Sequence, residues 1–512
     1  MRLFAKKLLF FLLFFVVALP LAAQEDLIAA FEKRITVKTL PNGLTLLICE
    51  RPEAPVFAFF THVDAGSAND PLNETGLAHM FEHMAFKGTD KIGTTNYPAE
   101  KIALEKVEAA YAAYNRERHK RVGSDPKKVA ELERAWKDAV AQAQKYVVPN
   151  EFGRVVEENG GVGLNAFTSE DETAYHFSMP VNRLQLWAYL ESQRFLHPVM
   201  REFYKERDVV IEERRMRIDS NPIGRLIEQF NGTAFMAHPY HRPGVGWMSD
   251  LTSFSATDAM EFFHEYYVPA NMVITVVGDV KGQQAMPMLE RYFSELPTRP
   301  KPQGIITVEP PQNAERQVVL RDPAQPFYIE GYHRPNFRDP DSAVYDVISD
   351  LMSSGRTSRL YRSLVRDKKI AAAAAGFSGM PGQKYPHLFA FGAIPIPGHT
   401  TKELADAIHE EIAKVKTQDV SDEELKMVKT RAKANLIRSL GTNEGLAQML
   451  GTEQAMWGDW RELFREVERI DKVTKADIRR VANKTFVDMN RTVGTIETQP
   501  PAATKAAQGA TK

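Results

Sequence analysis

Cysteine is nearly missing from this chain: Cys49 is the only one in 512 residues. No internal disulfide can form, so stability has to come from ordinary apolar cores. Charge imbalance is missing too. Lys and Arg number 65 against 66 Asp and Glu, a net charge of −1, which leaves no footprint for nucleic acid or an anionic membrane surface. Long apolar runs are missing except at the start, where Arg2, Lys6 and Lys7 flank an unbroken stretch from Leu8 to Leu19. A bilayer span needs about 20 such residues. This shorter run, closed by Pro20 and then Leu21, Ala22, Ala23 and Gln24, has the form of a signal peptide, with cleavage expected after Ala23. No cysteine stands there to make a lipoprotein. The mature chain is therefore expected to be exported, to the periplasm of a cell with two membranes or secreted, and free of membrane after cleavage. An uncleaved anchor is the other reading.

What is present is a repeat. Asp258 to Asn271 reads DAMEFFHEYYVPAN and runs into MVITVVGDV; Asp477 to Asn490 reads DIRRVANKTFVDMN and runs into RTVGTIE. Both join a helix to a β-rich strand, with an aromatic (Tyr267, Phe486) and an asparagine at matching places. The spacing is close to half the mature chain. It predicts an α+β protein of two homologous α/β repeats, each an antiparallel-rich sheet flanked by helices. Residues 24–294 make the first repeat and 318–498 the second. The proline-rich, polar stretch 295–317 is the linker, and 499–512 reads as a disordered tail. In the first repeat, Pro41-Asn42-Gly43 marks a hairpin between alternating strands. Residues 97–146 carry two helical stripes, Leu104, Val107, Tyr111, Tyr114 and Val129, Leu132, Trp136, Val140, broken at Gly123 to Pro126. This predicts an inserted antiparallel helical hairpin packed on itself or on the body.

Residues 76–90, GLAHMFEHMAFKGTD, hold the chemistry. On a helix, His79 and His83 share a face and can grip one metal ion. Glu82 stands beside them, able to reach a water without ligating the ion. Leu77, Met80, Phe81, Met84 and Phe86 bury the helix. Two satisfied core histidines and a surface glutamate are the bland alternative. Two imidazoles leave a catalytic zinc a ligand short. A source lies in FYKERDVVIEERRMRID (203–219), where Glu206 and Glu213 are two turns apart and Val209 and Val210 help bury their face. Glu213 can then be aimed at the ion and Glu206 at a histidine or the water. A solvated charged helix is the competing reading.

His-x-x-Glu-His is the inverted-zincin signature. With the Glu-x(6)-Glu helix downstream, the sequence resembles the pitrilysin or insulinase family of metallopeptidases, nearest its bacterial, mitochondrial-processing-peptidase-like branch. The likeness continues in GGVGLNAFTSEDETAYHFSMP (160–180) and in SSGRTSRLYRSLVRDKK (353–369). It implies one zinc per chain on His79, His83 and Glu213, with Glu82 as general base and Glu206 as supporting carboxylate. It implies a zinc endopeptidase acting on peptides or small unfolded proteins. The substrate would add to an edge strand at Asn165, Ala166 and Phe167.

Two departures stand out. The stretch from His83 to Glu213 is much longer than the family's usual gap, and the hairpin accounts for the excess; packing its own stripes, it should be removable without harm to the site. In the second repeat the family's Arg and Tyr, seven apart, become Arg366 and Ala373. The substrate-holding half looks damaged, so a homologous chain supplying an Arg–Tyr pair is the expected partner, in a heterodimer. A homodimer using Arg366 or Tyr361 is the second choice. A catalytically silent subunit that serves in binding or assembly is the competing function.

Overall fold

The structure, a computed structural model, describes residues 28–499; the leader and the tail beyond Gln499 lie outside them. Among the described residues no helix is long and apolar enough to cross a membrane.

Two sheets carry the fold. The first has the order β1-β2-β6-β3-β5-β4, built from Ile35–Thr39, Thr45–Glu50, Met272–Gly278, Val56–Val63, Thr173–Pro180 and Val162–Thr168. The second has the order β7-β11-β8-β10-β9, built from Arg316–Asp322, Arg491–Thr498, Phe327–Arg334, His387–Pro395 and Ala371–Met380. The correspondence runs strand by strand. β2 pairs parallel with β6 as β7 does with β11, and every later pairing is antiparallel in both. β1, joined to β2 across the predicted turn at Gly43, is extra. The expected α+β class with two homologous repeats is what forms.

The repeated segment has a physical basis. Ser255 with Asp258, and Thr474 with Asp477, close a capping box at the start of the helices α6 (Ala256–Tyr266) and α10 (Lys475–Thr485). Asn271 Nδ2 donates to the carbonyls of Asp64 and Tyr266 at 3.2 and 3.0 Å. Asn490 Nδ2 donates to those of His333 and Thr485 at 2.8 and 3.0 Å. Each asparagine thus ties the end of its helix to the end of the neighbouring strand.

The repeats cover one another. Helix α5 (Pro222–Ala234), from the first, lies on β7 and β11 of the second; helix α9 (Asn443–Trp457), from the second, lies on β3 and β6 of the first. Small residues admit them. A side chain at Gly451 would strike Phe60 and Thr275, and one at Gly494 would strike Phe230. Two buried clusters result, one around Phe60, Leu446 and Leu450, the other around Phe230, Leu388 and Ile496. Cys49 is a free thiol buried in the former. Between the repeats, residues 297–313 have no regular structure and β7 begins inside the predicted linker. The strap is pinned: Glu309 accepts from the backbone N–H groups of Met236, Ala237 and His238 at 2.8–2.9 Å.

Candidate metal centre and active site

Helix α1 (Leu77–Met84) carries the histidines. Its buried start is fixed by Asp70, whose carboxylate accepts from the N–H groups of Gly76 and Ala78 at 2.7 and 2.9 Å. Gly76 is left-handed (φ 97°), and a Cβ there would meet Leu251 and the Val245 carbonyl at 2.8 Å, so only glycine admits this entry. Leu77, Ala78, Met80, Phe81 and Met84 are buried, with Phe86 partly buried beside them. One face remains for His79, Glu82 and His83.

Helix α4 (Phe203–Arg214) crosses α1 and brings Glu206 and Glu213 to that face. His79 Nε2 lies 3.6 Å from Glu213 Oε1, and His83 Nε2 lies 3.6 Å from Glu213 Oε2. His83 Nδ1 lies 3.5 Å from Glu206 Oε2. Ligand atoms of His79, His83 and Glu213 all fall within 4.8 Å of one another. Separations of 3.6 Å are long for hydrogen bonds. They are near the roughly 3.3 Å between tetrahedral donors that sit about 2.0–2.1 Å from a shared zinc. The set of two imidazoles and a carboxylate is a zinc donor set, and it fits.

The electrostatics set the two histidines apart. Burial lowers the His79 imidazole to about 4, against the pull of Glu213, so it is neutral as a ligand must be. For His83, burial is outweighed by the carboxylates of Glu206 and Glu213, which hold it up at about 9, so this imidazole has to give up a proton to ligate a metal. Glu206, although partly buried, is held down at about 2 by His83 and Lys87. Burial raises the Glu82 carboxyl above the ordinary range, opposed by a hydrogen bond from Thr168 at the end of β4.

Lys87, one turn beyond His83, pairs with Glu206. Neither Lys87 nor Thr168 was singled out in the sequence. Lys87 could have been, because it extends the i, i+4 series from His79 and His83. Val209 corrects the sequence reading: Val210 is buried, but Val209 is 46% exposed. The Glu206–Glu213 face is lined by Val210 alone, and Val209 turns to solvent.

The hairpin, α2 (Tyr97–Arg118) and α3 (Pro126–Ala143), also corrects an expectation. It grips α4. Glu108 accepts from Tyr204 at 2.7 Å, and Arg207 donates to Tyr111 at 2.7 Å while lying over its ring. Arg201, 1% exposed, uses all five N–H donors: two on Glu100 and three on the carbonyls of Lys87, Ile92 and Thr89. Removing the hairpin would strip the back of the helix that carries Glu213.

β4 is an edge strand, paired on one side with β5. Asn165 is exposed, Ala166 buried and Phe167 half-buried. Arg366 is outside the cluster: it is exposed and bonded to its neighbour Asp367. Ala373 is exposed on β9, the edge strand that corresponds to β4.

Comparison with known proteins follows this division. A sequence model described as insulinase (peptidase family M16) matches residues 47–119 and 139–246, and one described as peptidase M16 inactive domain matches 253–432. The chain belongs to the insulinase (M16) peptidase family. The first match skips 120–138, so within the hairpin the tip and most of α3 are unmatched while α2 is matched. Zinc protease PqqE of Helicobacter pylori is 28% identical over 89% of this chain and 90% of its own. A probable mitochondrial-processing peptidase subunit beta of Arabidopsis thaliana is 22% identical over 93% of this chain and 80% of its own. A crystal structure of a protease from Helicobacter pylori superposes with a TM-score of 0.74 at 26% identity, covering 90% of this chain and 99% of that one. The periplasmic protease PqqL of Escherichia coli shares the fold (TM-score 0.66, 19% identity), and 48% of its length is covered, so this M16 chain is half its size.

Proposed function

We propose that this M16 chain is a zinc-dependent endopeptidase, with His79, His83 and Glu213 holding one zinc ion. The observation that carries the reading is that two imidazole Nε2 atoms face the two oxygens of one carboxylate at 3.6 Å each. A bound zinc would polarise the scissile carbonyl and lower the pKa of a water to about 7. Glu82 stands one turn from His79 with a carboxyl that burial has made more basic than usual. That suits it to take the proton of the attacking water and hand it to the departing amine nitrogen. Thr168 orients Glu82 and Glu206 orients His83, while Lys87 anchors Glu206. The open edge of β4 accepts an extended peptide through backbone hydrogen bonds at Asn165, Ala166 and Phe167. This favours unstructured peptides or small unfolded proteins.

Ala373 offers only a methyl group where a tyrosine hydroxyl would help Arg366 steady the developing charge. The working form is therefore a heterodimer with a homologous chain that brings the Arg–Tyr pair. The chain is exported through its leader to the periplasm. The competing reading, a silent subunit, has no use for a complete donor set together with Glu82. The test is metal analysis with a peptide-cleavage assay, alone and with candidate partner chains. Glu82→Gln should keep one zinc per chain and lose roughly 10²–10⁴-fold in rate. A wild-type chain that binds no zinc would overturn the assignment.

A further inference from the structure

Three arginines follow the third zinc donor in the run EERRMR, residues 212–217, and the structure gives them different tasks. Arg214 is 5% exposed and points into the body, donating to Glu228 at 2.8 Å and to the Gly246 carbonyl at 2.6 Å. Arg215 turns outward to Glu212. Arg217 turns back over the metal donors: its Nη2 lies 2.8 Å from Glu213 Oε1, while its side chain stays 65% exposed.

The backbone holds it there. Beyond Arg214 the helix widens into a π-turn, Arg215–Asp219, closed by the Ser220 N–H on the Arg215 carbonyl at 2.8 Å. Helix α5 seats on this turn so closely that a Cβ at Gly224 would stand 2.2 Å from the Arg217 carbonyl. Arg225 donates to the Asp219 carbonyl. An exposed ion pair four residues apart adds little stability, so stability does not account for the braced turn that carries it. Position does. Behind burial and the nearer side chains, the charge of Arg217 acts on His79, Glu82 and Glu213 alike, so the guanidinium stands close to all three. It reaches them from the solvent side, where a peptide has to enter. Glu213 is its one ion-pair partner among the described residues, which leaves most of its five N–H donors for a ligand.

Such a donor serves what the second repeat withholds. A carbonyl under attack gains negative charge on its oxygen and is steadied by a hydrogen-bond donor aimed there. Ala373 has no hydroxyl, and Arg366 is exposed and tied to Asp367, outside the cluster. The geometry points to Arg217 as a catalytic residue that donates to the scissile carbonyl oxygen as it gains charge, supplying within this chain part of what an Arg–Tyr pair would bring. The guanidinium keeps its protons throughout, and proton transfer stays with Glu82. The inference rests on the zinc-peptidase reading and not on the heterodimer.

The test is Arg217→Met, which keeps bulk but removes the charge and the donors, with Arg217→Lys beside it. Calorimetry measures binding of a phosphinic tetra-alanine, whose tetrahedral phosphinate anion stands in for the reacting carbonyl. It uses the zinc-loaded full chain alone, so no partner is needed. Arg217→Met should bind the phosphinate at least about tenfold more weakly than wild type with one zinc per chain retained, and Arg217→Lys should recover part of the loss. In peptide hydrolysis Arg217→Met should lose roughly 10²–10³-fold in kcat with KM little changed. Unchanged phosphinate affinity in zinc-loaded Arg217→Met would overturn the inference. So would a loss that follows zinc release, because Arg217 would then only support Glu213. A wild-type chain without zinc would overturn the peptidase reading and this inference together.

Discussion

The same helix pair occurs in both halves of the molecule, with opposite polar contents. In the first, α1 follows β3 and packs on α4; in the second, α7 (Ser342–Ser353) follows β8 and packs on α8 (Asp422–Ser439). α1 carries His79 and His83 on one face, and α7 carries Asp346 and Asp350 at the same i, i+4 spacing. The crossing helix then decides the outcome. α8 offers Arg431, whose Nη1 bonds Asp350 Oδ1 at 2.6 Å, so that contact is closed by the protein itself. α4 offers Glu213, which stands 3.6 Å from both histidines and is closed only from the solvent side, by Arg217 (65% exposed) at 2.8 Å from its Oε1. Two imidazoles and a carboxylate held 3.6 Å apart have room for an ion between them; Asp350, closed on Arg431 with no imidazole beside it on α7, does not. This separates the half matched as insulinase from the half matched as inactive domain.

The largest effect should come from making the first half copy the second. Glu213→Arg removes a carboxylate donor and puts a guanidinium in its place. Zinc measured by elemental analysis should fall from one per chain to background, and peptide hydrolysis should vanish with it. Retention of zinc in a folded Glu213→Arg protein would mean that Glu206 or Glu212 is the third ligand.

Next comes the support that one half has and the other lacks. Arg201 and Glu100 are both almost fully buried and bonded twice at 2.8 and 2.9 Å. Glu100→Ala leaves the guanidinium buried without its carboxylate, a change that costs about 3–5 kcal/mol in such pairs. Chemical denaturation should report a loss of that size, and zinc should dissociate faster, because Arg201 also holds the loop after α1 and leads into α4. The reciprocal cut, Arg431→Ala, breaks a pair that is only partly buried and should cost about 1–3 kcal/mol with zinc content unchanged. Equal effects of the two cuts on zinc release would dissolve the distinction between the halves.

Much of this was legible in the sequence because it is local. The histidine spacing, the two-turn spacing of Glu206 and Glu213, and the duplicated helix–strand segment are short-range patterns that geometry converts directly into shared faces. What the sequence withheld is long-range. Stripes in 97–146 show that a face is buried but not against what, so the grip of Tyr111 and Glu108 on α4 was out of reach. The swap of covering helices α5 and α9 has its only local trace in glycines such as Gly451 and Gly494, which read as weak spots in a helix or strand until the opposing Phe60 and Phe230 are seen. Val209 was misplaced because two adjacent valines on a helix point about 100° apart, and only one can line a given face.

The smallest effect, and the finest probe of the comparison, concerns the paired asparagines. Asn271 and Asn490 make the same two bonds, to the last turn of a helix and to the end of a strand. Alanine at either place strands two carbonyls. The cost should be about 1–3 kcal/mol at Asn271, which is 5% exposed, and toward the lower end at the half-buried Asn490. Stability alone should hardly tell the halves apart. Zinc should. The Asp64 carbonyl held by Asn271 begins the loop that runs to Asp70 and Gly76, and so to the start of α1. Slack there reaches His79, whereas the matching loop after His333 reaches only Asp346 and Asp350. Asn271→Ala should therefore lower zinc affinity severalfold in a competition titration with a chelator, and Asn490→Ala should leave it unchanged. If both variants lose stability and neither loses affinity, the capped start of α1 insulates the donors from the sheet, and Asp70 rather than the repeat's asparagine sets their positions.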